Sequence, residues 1–485
     1  FPTRRSSDLR LDAWNTRQAS AAVAVRALGM LSGVAARAAL YAPGSADAHA
    51  ADTELQVLVA AVQHAAHRPR LAAAWAAPLR DARVLTTCLT LLARAPRAPL
   101  DGEAWAPVHV LYLAPLLQLC ATLAAQRATC ELLAESGVVF ALCSNALSAE
   151  LEQGTLAAAL PTGDINPLHA HWLVALQIVA SLTETLATSQ AAAGAHFVEG
   201  DACAFVQLYA PQLRRTLHYT LPTPNSAYAA PPLDLAQLHE FRAVLRVLYA
   251  MHRAKARTTP LPLYAELVER LPWVLQQLGY LYTHPRELRT LLGLPEHADA
   301  KDGAGADADA DWQAVVPLAT DALADAIATL LALLWDLSGA SVVLLEDVSE
   351  WPVLPALIAP VLHTTPSSPA SLGTLLEIAS ALSDAARACS EKDARRAMLG
   401  TALAQSIGLC ATQAVLWARG PLPPDASDAC RAQTSVAETE IASGLGRDVD
   451  AAIRAAQGAC TPDERVLLDV LHRFSQQYLG ASRSE

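Results

Sequence analysis

From Leu11 to Pro295, apolar residues recur at i, i+3, i+4 and i+7 over stretches of about 15–25 residues. Each stretch ends in a short break rich in Pro, Gly, Asp or Asn, such as "APGSADAHAAD", "RAPRAPLDGEAWAP", "PTGDINP", "LPTPNSAYAAPPLD" and "TTPLP". This spacing predicts a succession of amphipathic helices joined by short turns. Alternation of period two never survives beyond a few residues; "GVVFALC" and "SVVLLEDV" have strand-like composition, but each lies beside a helical pattern. A low-complexity acidic segment, Glu296 to Asp311, then interrupts the chain and reads as a solvated, disordered loop. A second helical block follows from Trp312 to about Leu479, broken at "HTTPSSPASLG" and "GPLPPDASD". The expected layout is therefore a helical block over 10–295, an acidic loop over 296–311 and a C-terminal helical block over 312–485. No strict period emerges, so the helices are expected to stack irregularly.

Two helix starts are written out locally. Asn166–Pro167 offers an N-cap followed by Pro at the first helical position, and Thr461–Pro462–Asp463–Glu464 has the form of a capping box. The helix after Thr461 carries Leu467, Leu471, Phe474 and Tyr478 on one face, which makes that face a candidate partner-binding surface. The competing reading is a terminal helix packed on its own chain.

Composition agrees with the pattern. In 485 residues, 53% are hydrophobic and 17% charged, with Ala and Leu, the leading helix formers, dominating. Lysine is confined to Lys255, Lys301 and Lys392, so a GC-rich coding bias supplies part of the Ala and Arg content. A formal charge of −12 disfavours general nucleic-acid binding, which needs a basic footprint. Cys88, Cys120, Cys130, Cys143, Cys203, Cys389, Cys410, Cys430 and Cys460 contain no CxxC pair and mostly fall in apolar helical positions. They read as reduced core thiols of an intracellular protein. The most apolar runs, "VHVLYLAPLLQLCATLAA" and "HWLVALQIVASLTETLA", are interrupted by His109, Pro115 and Gln118, or by Gln177 and Glu184. They are expected to be buried helices, with no transmembrane segment. The opening nine residues, "FPTRRSSDL", back-translate into the universal adapter of short-read DNA sequencing. They are read as an assembly artefact, which makes the chain the C-terminal part of something longer.

Candidate chemistry is weak throughout. His169 and His171 lie two apart at a helix start and point to different sides, unlike an i, i+4 metal pair. Asp307, Asp309 and Asp311 open like a calcium loop, but Trp312 stands where Gly is needed and Leu318 where Glu is needed. Gly444 and Gly446 lack the third glycine and the preceding strand of a nucleotide fingerprint. Glu131 with Glu135, and Glu438 with Glu440, sit on helical segments as solvated carboxylates. Cys203 has no His–Asp context. The expectation is no enzyme, no cofactor and no metal.

Three stretches taken together carry a resemblance: "LLAESGVVFALCSNALSAELEQG" (Leu132–Gly154), "NPLHAHWLVALQIVASL" (Asn166–Leu182) and "HFVEGDACAFVQLYAPQLRRTL" (His196–Leu217). In that order and spacing they resemble the C-terminal half of the large α-helical inner-ring scaffold nucleoporins of the nuclear pore. The nucleoporin 188 class is the nearest, with the related nucleoporin 192 and 205 class next. "LPWVLQQLGYLYTHPRELRTLL" (Leu271–Leu292) is similar in style. The resemblance covers about Glu131 to Leu292. It implies an all-α fold, an irregular α-solenoid of stacked antiparallel helices, at the nuclear envelope. It also implies that linker nucleoporins and other inner-ring nucleoporins dock in its grooves through short helical motifs. On this reading Asn166 caps a scaffold helix, Trp172, Leu176 and Val179 pack it, and His169 and His171 do no chemistry. The alternatives are another α-solenoid adaptor in transport or vesicle coats, a helical enzyme or regulatory subunit, and, last, a membrane protein.

Overall fold

The computed structural model describes residues 6–66, 75, 79, 83–95, 97–98, 109–160, 166–187, 197–221, 234–254, 262–292, 306–345, 357–359, 361, 368–390, 393–419 and 446–478. Almost all of these residues are helical, and the fold is all-α and solenoid-like. The one sheet among them is a two-residue antiparallel ladder, β1 (Arg97–Ala98) with β2 (His109–Val110). Both strand-like runs are helices: Val138–Cys143 and Ala340–Leu345. Their β-branched residues lie in short apolar segments, where packing between neighbouring helices overrides strand propensity.

The chain divides into two compact units. The first is Phe1–Arg215 with Arg246–Leu263, and the second is Thr216–Leu245 with Tyr264–Glu485. This division does not follow the acidic segment. Residues 296–305 of that segment lie outside the described residues, whereas 306–311 are helical, because the helix expected at Trp312 already begins at Ala306. Ala is the best helix former, and Asp in a first turn is favoured by the positive end of the helix dipole. Of the adapter-like opening, 1–5 lie outside the described residues, and Ser6–Leu9 continue the first helix.

In the first unit helices pack on others close to them in sequence, often the next but one. Helix α1 (Ser6–Ala38) lies on α2 (Ala46–Ala66) and α3 (Val84–Ala93), and α2 lies on α4 (Leu113–Ala124). The next helices are α5 (Arg127–Glu135), α6 (Val138–Cys143), α7 (Ser148–Gln153) and α8 (Pro167–Ala187). Helix α8 covers α4 and α5 and meets a π-helical turn, Phe197–Ala202, that leads into α9 (Cys203–Leu208). Helix α8 is the "NPLHAHW" helix. Asn166 Oδ1 accepts from the Leu168 N–H at 3.0 Å, the N-cap bond expected from sequence. Its Nδ2 donates to the Ala157 carbonyl at 2.8 Å, tying the preceding loop to the helix start. Trp172, Leu176 and Val179 are all 0% exposed. The Trp172 ring stacks on Phe205 with centroids 5.7 Å apart and meets Tyr209 edge-on at 5.6 Å. Such pairs add about 0.5–1.5 kcal/mol each beyond the area they bury. Glu184, near the other end of α8, is held by the Arg246 guanidinium through two bonds of 3.0 and 2.8 Å.

The second unit is built differently. After α10 (Ala210–Leu217) and α11 (Leu235–Arg253), which run across the division in sequence, come α12 (Pro262–Thr283), α13 (Pro285–Leu291), α14 (Ala306–Leu337), α15 (Ala340–Leu345) and α16 (Leu372–Ala388). They are followed by α17 (Ala394–Arg419), α18 (Gly446–Gln457) and α19 (Pro462–Tyr478). Helices α14, α15, α16, α18 and α19 all pack against α17. A helix surrounded in this way is apolar nearly all round. Close approach also requires small residues. A Cβ at Gly408 would run into the Trp335 ring, and one at Gly279 would lie 2.6 Å from Ile378 Cδ1. Among the described residues three helices are long and apolar enough to cross a membrane by length and composition: Pro167–Ala187, Val315–Leu337 and Ala394–Leu416. The last of these spans most of the central α17, and 83% of its apolar window is buried in protein.

Three substitutions test the packing. Replacing Trp172 with Ala empties the centre of the aromatic trio and is expected to cost about 3–5 kcal/mol in urea unfolding of the full chain. Gly408→Ala is expected to destabilise by about 1–3 kcal/mol through overpacking. Gly29→Ala has nothing within 4 Å of the new methyl and is expected to stabilise α1 by up to about 1 kcal/mol.

Candidate partner-binding surfaces

The residues expected on the open face of the last helix divide. Leu471 is 0% exposed and Phe474 5%, while Leu467 is half-buried; the Tyr478 side chain lies outside the described side chains. Leu471 lies over Gly408 of α17, and α19 also packs on α15 and α18. The Leu471–Phe474 face is therefore already covered by its own unit, which corrects its reading as a docking surface. The face is apolar because it is core. Its start is capped as the sequence implies: Glu464 Oε2 accepts from the Thr461 N–H at 2.7 Å.

The chemically suggestive residues also fall into structural places. His169 is buried at the start of α8 and His171 is half-buried on another side. Among the described residues no three His, Cys, Asp or Glu side chains gather as a metal needs. Cys203 begins α9, and burial followed by the nearby Glu199 carboxylate pushes its thiol pKa up. Both effects disfavour the thiolate that a nucleophile requires. Glu131 and Glu135 lie on α5. Gly444, Glu438, Glu440 and Cys430 lie outside the described residues, as do Asp307, Asp309 and Asp311 beyond their helical backbone, and Gly446 begins α18.

What sequence reasoning missed is a set of buried amides that close loops onto helices. Gln212, Gln276, Gln277 and Gln413 are all nearly fully buried. Gln413 Oε1 accepts from the N–H groups of Leu357 (2.7 Å) and Ile358 (3.1 Å). Gln277 Oε1 accepts from the Leu221 N–H at 2.7 Å, and Gln212 Nε2 donates to the Leu156 carbonyl at 3.0 Å. Gln276 Oε1 receives the hydroxyl of Thr374, itself half of a Ser371–Thr374 capping box that starts α16. Asp52, on α2, accepts from the Tyr112 N–H at 2.8 Å.

Two clefts open on these helices. One, in the second unit, has a volume of about 470 Å³ between α16 and α18 and is lined mainly by Ala and Ser, with Glu377, Asp384 and Asp448. Arg387 closes part of it by donating to the Ala455 carbonyl at 2.6 Å and to Asp384 at 3.3 Å. The other, in the first unit, has a volume of about 540 Å³ between the C-terminal end of α1 and α3. Its lining includes Arg83, Arg94, Tyr41, Tyr112 and a row of threonines. Arg83 (φ 49°) and Tyr112 (φ 67°), the two described non-glycine residues with positive φ, both line it. Burial, then the Asp52 charge and Tyr41, hold the Tyr112 phenol above its usual pKa, so it remains a neutral hydroxyl.

Phe474→Asp is expected to lower the melting temperature, because the charge would enter a packed interior at a cost of at least about 3 kcal/mol. Burial raises the Cys88 and Cys410 pKa values from 9.0 to about 12. Because the folded values are raised, the stability these neutral thiols contribute is complete below about pH 9 and is lost as pH rises towards 12. Both thiols are therefore expected to resist a disulfide reagent at pH 8 until the chain is unfolded, which mass-resolved labelling would read.

No family model matches the chain. No curated protein matches it in sequence at a meaningful level.

Proposed function

We propose that this chain is a structural scaffold of the nuclear pore inner ring, of the nucleoporin 188 class or its 192 and 205 relatives. In that role it would present helical surfaces to linker nucleoporins and other inner-ring nucleoporins at the nuclear envelope and so support nucleocytoplasmic transport. The observation that carries this reading is the region over which the resemblance runs. Leu132–Gly154, Asn166–Leu182 and His196–Leu217 meet in one cluster, in which Trp172, Phe205 and Tyr209 pack together and the Tyr209 hydroxyl donates to the Leu142 carbonyl at 2.9 Å. Three sequence stretches that resemble one family thus form one structural module, as a shared helical scaffold would require. Of the positions that stand out in them, Asn166 ties a loop to a helix start and Trp172 packs one helix on another, which suits a protein whose work is to keep a shape.

The test is live imaging of the endogenous gene product with a fluorescent tag at its C-terminus. A punctate ring at the nuclear envelope is the expected outcome. A diffuse or vesicular signal would overturn the pore assignment and favour an α-solenoid adaptor of transport or vesicle coats.

A further inference from the structure

The cleft between α1 and α3 has an electrostatic character opposite to that of the chain. The protein carries a formal charge of −12, yet the described lining of this cleft holds two guanidinium groups, Arg83 and Arg94, and no carboxylate. Asp52 lies behind Tyr112, and its oxygens already accept from the Tyr112 N–H and from Gln56. By contrast, the arginine of the other cleft is bonded within its own unit. An electropositive cleft on an acidic surface selects for an anion.

The spacing says what kind. Arg83 precedes the first residue of α3 and Arg94 follows the last, so they are eleven positions apart. Eleven residues make almost whole turns of an α-helix, which returns both to one face roughly 16 Å apart along the axis. Thr87 and Thr90 lie between them on that face. Their hydroxyl protons go to the Arg83 carbonyl (3.1 Å) and the Thr86 carbonyl (2.7 Å). Each Oγ therefore keeps acceptor capacity for an incoming N–H. Ala35, Ala38, Tyr41 and Leu91 supply apolar wall.

A partner helix long enough to reach both arginines would be a cylinder of roughly 1,300 Å³, taking its diameter as about 10 Å. The cleft holds about 540 Å³, too little to enclose such a helix. An extended chain spans the same distance with about five residues, at roughly 3.3 Å each. We propose that this cleft docks an extended acidic segment of a partner protein. Carboxylates about five residues apart engage Arg83 and Arg94, and main-chain N–H groups between them donate to Thr87 and Thr90. The inference rests on the scaffold reading only in taking its ligand from a partner protein.

The probe is a fluorescein-labelled Ser/Ala peptide with glutamates about five residues apart, titrated into the full chain at low ionic strength and followed by anisotropy. Saturable binding is expected, weakened roughly tenfold or more by either R83A or R94A, because each removes one charge-assisted bond. Arg83 and Arg94 are both exposed, so both variants should keep the wild-type melting temperature. The double variant R83E/R94E should lose the glutamate peptide and gain one with lysines at the same two positions. A peptide with adjacent glutamates should bind more weakly than the spaced one. The inference is overturned by no binding, by binding that ignores both substitutions, or by inorganic phosphate displacing the peptide mole for mole, which would mark a small-anion site. A chain that forms the nuclear ring but ignores the peptide overturns this inference alone. A chain that binds the peptide but stays away from the envelope overturns only the pore assignment.

Discussion

A helical stack made largely of Ala and Leu has strong cohesion and little direction. Apolar burial pulls helices together at roughly 25 cal/mol per Å², but a helix can slide by a turn and bury nearly the same area. The buried side-chain amides that reach loop backbone remove this freedom. Gln413 holds two N–H groups of the segment at 357–358, Gln277 holds Leu221, Gln212 holds Leu156, and Asn166 holds the carbonyl of Ala157. Each bond adds only about 1 kcal/mol net, but leaving a buried partner unsatisfied costs about 1–3 kcal/mol. The penalty for a wrong register therefore exceeds the reward for the right one. This asymmetry gives an otherwise featureless core a defined arrangement.

The same logic explains the two kinds of packing. In the first unit packing is spread over many helix pairs, and the aromatic trio of Trp172, Phe205 and Tyr209 locks one junction. In the second, five helices gather on α17, where Gly408 lets Trp335 and Leu471 approach its backbone. Large rings and absent side chains are complementary answers to one constraint. Interiors must be filled to near-crystalline density, so a bulky partner needs a matching vacancy in its neighbour.

The start of α8 was legible because its signals are local: a capping Asn, a Pro that fits the first turn and an apolar period that buries Trp172. The all-helical class was legible for the same reason. The division near Arg215 was not, because compactness is a property of non-local contacts. The buried glutamines were hidden because hydrophobic patterning counts Gln as a surface residue, and nothing local marks the loop that will need it. The start of α16 was hidden behind Ser, Pro and Gly, which read as a break although Ser371 and Thr374 form a capping box. The apolar stripe of α19 was visible, but a stripe cannot say whether its cover comes from its own chain. Leu471 and Phe474 were covered from within.

The α1–α3 cleft was invisible to patterning for a related reason. Arg83 and Arg94 stand at the two ends of one helix, where sequence reading treats Arg as a cap or a solvated end. Helical geometry puts them on one face, and the fold then sets that face against Tyr41 and Tyr112. Two ordinary end residues thereby become one electropositive feature on an acidic protein. Helix stacks acquire binding surfaces in this way without any motif, because closing one packed layer leaves an uneven seam. What the seam can hold is decided by the charges at the helix ends that border it.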